Sequence, residues 1–346
     1  MTEHSKGYER LGHGPDGKVL PATGQGGAAR ARLGNDRWHF QHGPIDLIID
    51  VDADTAPRER AMASCWEDFQ QILPALVAEL AVLRRPAVER PTVRGLVAKR
   101  MVDACAPFAD ERFITPMAAV AGAVADELIG SFERSGVRRA FINNGGDIAL
   151  HLAPGTNYRV GIWSQLERLV QVDGAAKPLD GIFVIDSSTP VRGVATSGWR
   201  GRSFSLGIAD SVTVLARDAA AADAAATLIA NAVNCDFGGI VRAPADQLKD
   251  DSDLGKLLVT VDVPALPATA RTEALLRGRA EAERWRERGL IYAAAMFLQG
   301  AADIVLPRVG ALAHTDATAH TDAAAHAVAR PHIDAFEHAR MPLRIG

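Results

Sequence analysis

Two oxygen-bearing side chains, Asp223 and Thr227, stand four residues apart inside an alanine run, DAAAADAAATLIANAVN at 218–234. Alanine supplies helix propensity and little bulk, so the run predicts a helix that neighbouring backbone can approach closely. Residues four apart share one face of a helix, and a carboxylate with a hydroxyl suits Mg²⁺. The pair is therefore a candidate metal site. The alternative is a solvated helix face or an N-terminal cap.

A second polar stretch, ATSGWRGRSFSLG at 195–207, combines hydroxyls, glycines, an aromatic ring and two arginines. Hydroxyl and guanidinium groups donate hydrogen bonds to phosphate or carboxylate oxygens, and a tryptophan offers a stacking face. The stretch is therefore a candidate anion-binding loop, and the alternative is a surface loop whose arginines bind no ligand. Its candidate residues are Thr196, Ser197, Gly198, Trp199, Arg200 and Arg202.

Nucleophilic chemistry is a further possibility in this stretch, because Ser197 and Ser205 carry hydroxyls that a base could activate. No histidine stands at a spacing that would identify such a base. The pattern therefore favours a non-catalytic interpretation of both serines, although Ser197 is kept as a catalytic candidate.

Paired glycines form the third motif, NNGGD at 143–147, between two strand-like segments. Glycine permits a tight turn and lets a ligand reach exposed backbone N–H groups, which suit phosphate or carboxylate oxygens. Asn144, Gly145 and Gly146 are the candidate binding residues. Asn-Gly and Gly-Asp are also favoured turn dipeptides, so a plain hairpin is the alternative.

The composition narrows the class of protein. The chain has 346 residues, a net charge of −4 and 5% aromatic residues, which argues against a nucleic-acid partner. Its three cysteines are few and widely spaced, which is typical of reduced thiols. No basic-then-apolar leader and no run of about 18 apolar residues is seen. We therefore expect a cytoplasmic protein without a membrane span.

The apolar periodicity predicts an α+β fold in which mixed or antiparallel sheets pack with helices. We expect a loose lead-in at 1–35 and a domain at 36–310 with room for two subdomains. An Ala/His/Thr/Asp-rich tail at 311–346 carries His314, His320 and His326, and a flexible tract is favoured there over a metal site. The predicted helices cover about 57–84, kinked or broken at Pro74, then 113–136, the alanine run and 270–288. The predicted strands lie at RWHF, PIDLIIDV, RRAFINN, DIALHLAP, 158–164, 181–187, 203–216, LLVTVDV, IYAAAMFLQG and ADIVLP.

The order of the motifs resembles that of the ApbE family, the FAD:protein FMN transferases. INNGGDIAL, then ATSG, then ADAAAT at a helix start match its GGD or GGN turn, its TSG segment and its A-D-x-x-x-T metal motif. The match is closer still to a second ApbE-like family without an assigned activity, and covers about 37–307. The resemblance implies a T-fold-related scaffold, Mg²⁺, FAD as substrate or ligand, and a homodimer.

Position by position, the resemblance makes Asp223 and Thr227 the side-chain ligands of the metal. Gly122 lies in PMAAVAGAVAD, where the family has a G-A-x-A-K-G stretch that contacts FAD and supplies a backbone carbonyl to the metal. Asp126 also keeps its place. The resemblance puts the NNGGD glycines and Asp147 on the nucleotide side of the pocket, with Thr196, Ser197 and Gly198 opposite. In an enzyme on this scaffold, Asp147 would act as a base or support the metal, and Arg202 together with Arg200 would bind an anionic group of the substrate.

The sequence departs from the family's pattern at two places. Ala121 stands where the family has its lysine, and the H-I-I-D-P segment that follows TSG in the family is absent. Transfer of FMN to a protein is therefore doubtful. Three functions stay open: a Mg²⁺-dependent enzyme acting on FAD or a nucleotide, an enzyme on the same scaffold acting on another anionic small molecule, and a binding protein without catalysis.

Overall fold

The computed structural model describes residues 27–162 and 181–307. Within these ranges the chain divides into two compact units. The first unit contains 27–153 together with 218–220, and the second contains the remaining described residues. The NNGGD motif lies in the first unit, and the ATSG segment with Asp223 and Thr227 lies in the second.

Five antiparallel strands form the sheet of the first unit in the order β1-β2-β3-β4-β5. Buried residues alternate with half-buried ones along the whole of β3, because successive side chains of a strand point to opposite faces. One face of the sheet is therefore apolar and packs on the core. The strands are β1 (Ala29–Arg32), β2 (Trp38–His42), β3 (Ile45–Ala53), β4 (Val137–Asn144) and β5 (Asp147–Leu152).

Three helices complete the first unit: α1 (Thr55–Leu83), α2 (Leu96–Ala109) and α3 (Val120–Ile129). Of the kink or break expected at Pro74, the break does not occur, because α1 is continuous through that residue. The single helix expected over 113–136 is also wrong. A 3₁₀ turn at Pro116–Ala119 precedes α3, and a second one at Gly130–Phe132 follows it, so only ten residues are α-helical. Helix α2 lies in a segment for which the sequence analysis predicts no element.

The strands of the second unit form three antiparallel groups: β6 (Asn157–Ile162) with β7 (Gly181–Asp186), four strands in the order β8-β9-β12-β13, and β10 with β11. Their bounds are β8 (Gly193–Ser197), β9 (Ser211–Ala216), β10 (Val241–Pro244), β11 (Leu258–Asp262), β12 (Ala293–Leu298) and β13 (Ala301–Val305). The helices are α4 (Ala219–Ala232), α5 (Ala245–Leu248) and α6 (Ala268–Glu287). The first residues of α4 group with the first unit.

Antiparallel ladders packed with helices confirm the α+β class. The strand expected over 203–216 is too long, because only Ser211–Ala216 forms a ladder and 203–210 is a loop. β1 lies inside the segment predicted to be a lead-in. None of the helices in the described ranges is long and apolar enough to cross a bilayer. The tail with His314, His320 and His326 lies outside the described residues.

Candidate functional site

Helix α4 carries one half-buried polar stripe on an otherwise buried surface. Positions 219–222, 224–226 and 228–230 are all buried, whereas Asp223, Thr227 and Asn231 are half-buried. These three residues repeat every four positions and so lie on one face of the helix. The alanines therefore serve packing, and the polar groups line the face that solvent or a ligand can reach.

The donor set of this stripe fits Mg²⁺ better than it fits a transition metal. Asp223 and Thr227 offer a carboxylate and a hydroxyl, which are hard oxygen ligands. In the described part of the chain, no three His, Cys, Asp or Glu side chains converge to form a metal cluster. Mg²⁺ commonly takes only one or two protein carboxylates and completes its shell with water and substrate phosphate. Assignment of both residues as ligands stays a prediction.

The start of α4 is held by α3 within the first unit. A Cβ on Gly122 would overlap the carbonyl oxygen of Ala219 and lie 2.7 Å from the nitrogen of Ala220, so only glycine fits there. The buried Asp126 carboxylate accepts hydrogen bonds from the backbone N–H groups of Ala219 at 2.9 Å and Ala220 at 2.7 Å. These contacts explain why a glycine stands at position 122 and an aspartate at position 126 without any need for a ligand.

Burial raises the pKa of the Asp126 carboxyl to about 7, and the negative charge of Asp218 adds to the shift. The two backbone N–H donors and the Arg100 guanidinium act in the opposite direction. Arg100 in turn donates a hydrogen bond to Glu127, the neighbour of Asp126 on α3, at 2.8 Å. The pKa of the Asp126 carboxyl therefore lies well above the usual value for an aspartate.

This raised pKa predicts the sign of a pH effect on stability. Between pH 3.8 and about 7, Asp126 holds more protons in the folded protein than in the unfolded chain. Its contribution to the free energy of unfolding therefore falls as the pH rises through that window, and levels off above it. Urea titrations at pH 5 and pH 8 should show wild type losing stability relative to Asp126→Asn. A difference between the two proteins that does not change with pH would contradict the assignment.

The NNGGD motif forms the turn of the β4-β5 hairpin in the first unit. Gly145 and Gly146 have φ of 68° and 120°, which favour glycine, and the Asn143 side-chain oxygen accepts the Gly146 N–H at 2.8 Å. The amide of Asn144 donates to the carbonyl of Ala121 at 3.1 Å. The hairpin alternative is thus correct for the backbone. Apart from its two chain neighbours, no atom of the described residues lies within 4 Å of the Cβ position of Gly146, so the described structure leaves open space there.

Asp147, the proposed base, begins β5 and is buried opposite Asn144 in the ladder. It belongs to the first unit, whereas Ser197 and Arg202 belong to the second. The catalytic roles of Asp147, Ser197 and Arg202 therefore stay predictions, and each residue is described within its own unit.

The ATSG segment forms the end of β8 in the second unit, followed by a loop over 198–210. Thr196 pairs with Thr213 of β9, and their hydroxyls lie 2.9 Å apart. Ser197 is half-buried at the last position of the strand. A Cβ on Gly198 would overlap the backbone carbonyl of Asp210, and the Trp199 N–H bonds to the Ala209 carbonyl at 3.0 Å. The two ends of the loop are therefore closed against each other.

The tip of this loop presents cationic and aromatic groups. Arg200 lies over the Trp199 ring at 4.8 Å, and its Nε is 3.7 Å from a carboxylate oxygen of the largely buried Asp210. Arg202 is exposed. The Trp199 indole N–H is buried without a hydrogen-bond acceptor among the described residues. The loop tip therefore offers two guanidinium groups and an aromatic ring.

Sequence reasoning missed Asn231 and Asp210. Asn231 continues the four-residue spacing of Asp223 and Thr227, and this spacing was the available signal. Asp210 could not be found in this way, because it lies ten residues from Arg200 and meets it only through the loop.

Comparisons with known proteins identify a matching family and several relatives. A family model described as AbpE bacteria matches residues 28–304. A UPF0280 protein of Methanospirillum hungatei is 39% identical over 121 residues, which are 34% of this chain and 45% of that protein. Another, of Methanosphaerula palustris, is 40% identical over 123 residues, 35% of this chain and 47% of that protein. The chain thus spans about half the length of these curated relatives.

Among solved structures, a variant of the flavin transferase ApbE from Vibrio cholerae is 13% identical, with a TM-score of 0.39. The alignment covers 80% of this chain and 97% of that one.

Proposed function

The chain belongs to the AbpE bacteria family, and we propose that it is a Mg²⁺-dependent enzyme acting on the phosphate groups of FAD or another anionic nucleotide. The observation that carries the proposal is the half-buried polar stripe of α4. Ten of the fourteen positions of this helix are buried, and those left accessible include the predicted ligands Asp223 and Thr227. Hard oxygen donors on an accessible face are suited to a metal that shares phosphate oxygens with the protein.

The roles of the side chains follow from their chemistry. The carboxylate of Asp223 and the hydroxyl of Thr227 would hold Mg²⁺, which when bound neutralises charge on phosphate oxygens. Arg200 and Arg202 would bind a second anionic group of the substrate. Arg200 is oriented for this by its stacking on Trp199 and by the Asp210 carboxylate.

The proposal is tested by incubating the purified protein with FAD and Mg²⁺ and separating the products by chromatography. Hydrolysis, in which water attacks one phosphorus and the P–O bond of the pyrophosphate bridge breaks, should yield AMP and FMN, and EDTA should stop it. Absence of turnover with FAD and with a panel of anionic nucleotides would remove the enzyme proposal. Calorimetric binding of FAD without turnover would then favour a binding protein. A panel of anionic metabolites tests the same scaffold for another substrate.

Arg202→Ala should weaken FAD binding about tenfold and leave the melting temperature unchanged. The side chain is exposed at the loop tip, so its loss removes a donor to the anion without disturbing packing. A charge-assisted hydrogen bond of about 1.4 kcal/mol corresponds to a factor of ten. Fluorescence titration of FAD measures the effect, and Arg202→Lys should recover part of it by restoring the charge. Unchanged affinity in Arg202→Ala would exclude the residue from the site.

A further inference from the structure

The loop that carries the arginines is fastened to the same face of α4 that carries Asp223 and Thr227. The side-chain oxygen of Asn231 accepts the Leu206 N–H at 2.8 Å and the Ser205 hydroxyl at 3.2 Å. Asn231 is one helical turn beyond Thr227. The side-chain oxygen of the third member of the polar stripe therefore binds the protein's own loop.

Close backbone packing reinforces this attachment. A Cβ on Gly207 would overlap the carbonyl of Ala230 and lie 2.8 Å from that of Asn231, so the loop backbone rests directly on the end of the helix. The Ile208 N–H donates to the carbonyl of Val233 at 2.9 Å. Asn234 also donates to the Leu206 carbonyl, at 3.2 Å. The segment from Ser205 to Ile208 is thus held along the C-terminal turn of α4.

Only the tip of the loop is left exposed. Ser205 is buried, and its carbonyl accepts the Thr260 N–H at 2.8 Å, whereas positions 200–203 are exposed. The other end is closed by Gly198 against Asp210. With both ends fixed, the position of the arginines relative to the stripe is set by these few contacts.

We propose that Asn231 is a positioning residue, which sets the distance between the anion-binding arginines and the oxygen ligands on α4. It touches neither metal nor substrate and acts through Ser205 and Leu206. The inference rests on the proposed function. It adds a residue of this chain that holds the loop of the arginines against the helix of the predicted metal ligands.

The test separates anion binding from metal binding in the full chain. In Asn231→Ala the affinity for FAD, measured by fluorescence without metal, should fall about tenfold. The affinity for Mn²⁺, measured by calorimetry, should stay within about twofold of wild type. Hydrogen exchange at the amides of 200–203 should become faster. Ser205→Ala, which removes one of the two bonds to Asn231, should have a smaller effect of the same kind.

The matched control is Asp186→Ala in the same unit. The Asp186 side-chain oxygen also fixes a turn, accepting the N–H groups of Ser188 and Thr189 at 2.9 Å each after the end of β7. It should lower stability without changing the affinity for FAD. Unchanged FAD affinity in Asn231→Ala, or an equal loss of Mn²⁺ affinity, would overturn the role of Asn231 while the proposed function stands. A wild-type protein that binds neither FAD nor Mn²⁺ overturns the proposed function, and the inference falls with it.

Discussion

Asp223→Ala is expected to lower the rate of FAD cleavage about 100-fold or more and to abolish saturable Mn²⁺ binding. The substitution removes the only carboxylate of the α4 stripe, and Thr227 alone offers a neutral oxygen that binds a divalent cation weakly. A 100-fold loss corresponds to about 2.7 kcal/mol of transition-state stabilisation. Initial rates of AMP release, with calorimetry for the metal, measure the two effects.

Asp223→Asn is the matched variant, because it keeps the shape of the side chain and removes its charge. We expect it to bind Mn²⁺ weakly and to recover in part at high metal concentration. Both variants should unfold at nearly the wild-type temperature, since position 223 is half-buried on a helix that is otherwise packed. Full activity of Asp223→Ala would show that the metal ligands lie elsewhere, even if the protein cleaves FAD.

Gly122→Ala is expected to lower the free energy of unfolding by about 3 kcal/mol. The added methyl group would overlap the backbone of Ala219, which cannot move without shifting the start of α4. Overpacking of a buried site typically costs about 1 to 3 kcal/mol, and here the obstacle is backbone rather than a flexible side chain. Chemical denaturation followed by circular dichroism measures the change.

Gly130→Ala provides the control on the same segment. Gly130 follows α3 with a right-handed helical conformation, and in the part of the chain that the structure describes no atom beyond its chain neighbours lies within 4 Å of its Cβ position. Alanine should therefore be tolerated or should stabilise the protein by about 0.4 to 1 kcal/mol. Equal free energies of unfolding for the two glycine variants would contradict the close approach of Gly122 to the backbone of Ala219.

The sequence predicted the helix of Asp223 and Thr227 correctly because local signals specify it. An alanine run favours a helix wherever it lies, and a spacing of four places both residues on one face. The Gly145-Gly146 hairpin was equally readable, since its positive φ values need glycine. The family followed from the order of these motifs along the chain. Each of these features depends on residues that are neighbours in sequence.

Other predictions failed where local signals were ambiguous. The apolar residues of 203–216 suggested one long strand, yet Ser205 and Leu206 bond to Asn231 of α4 instead of to a neighbouring strand. The helix expected over 113–136 is shortened by 3₁₀ turns on both sides. The hydrophobic pattern predicts which residues are buried but does not identify the residues that pack against them. It therefore could not distinguish the loop at 203–210 from a strand, or the 3₁₀ turns from an α-helix.

The sequence by itself determined the α+β class, the family and the pair of oxygen donors on α4. Only the tertiary structure decided what surrounds that pair. The Asp126 carboxylate meets the start of α4 from 93 residues away, and Asn231 meets the loop from 25 residues away. Contacts between residues so far apart in the chain arise from tertiary packing. Each depends on one polar atom at one position, so it produces no repeating pattern from which the sequence could predict it.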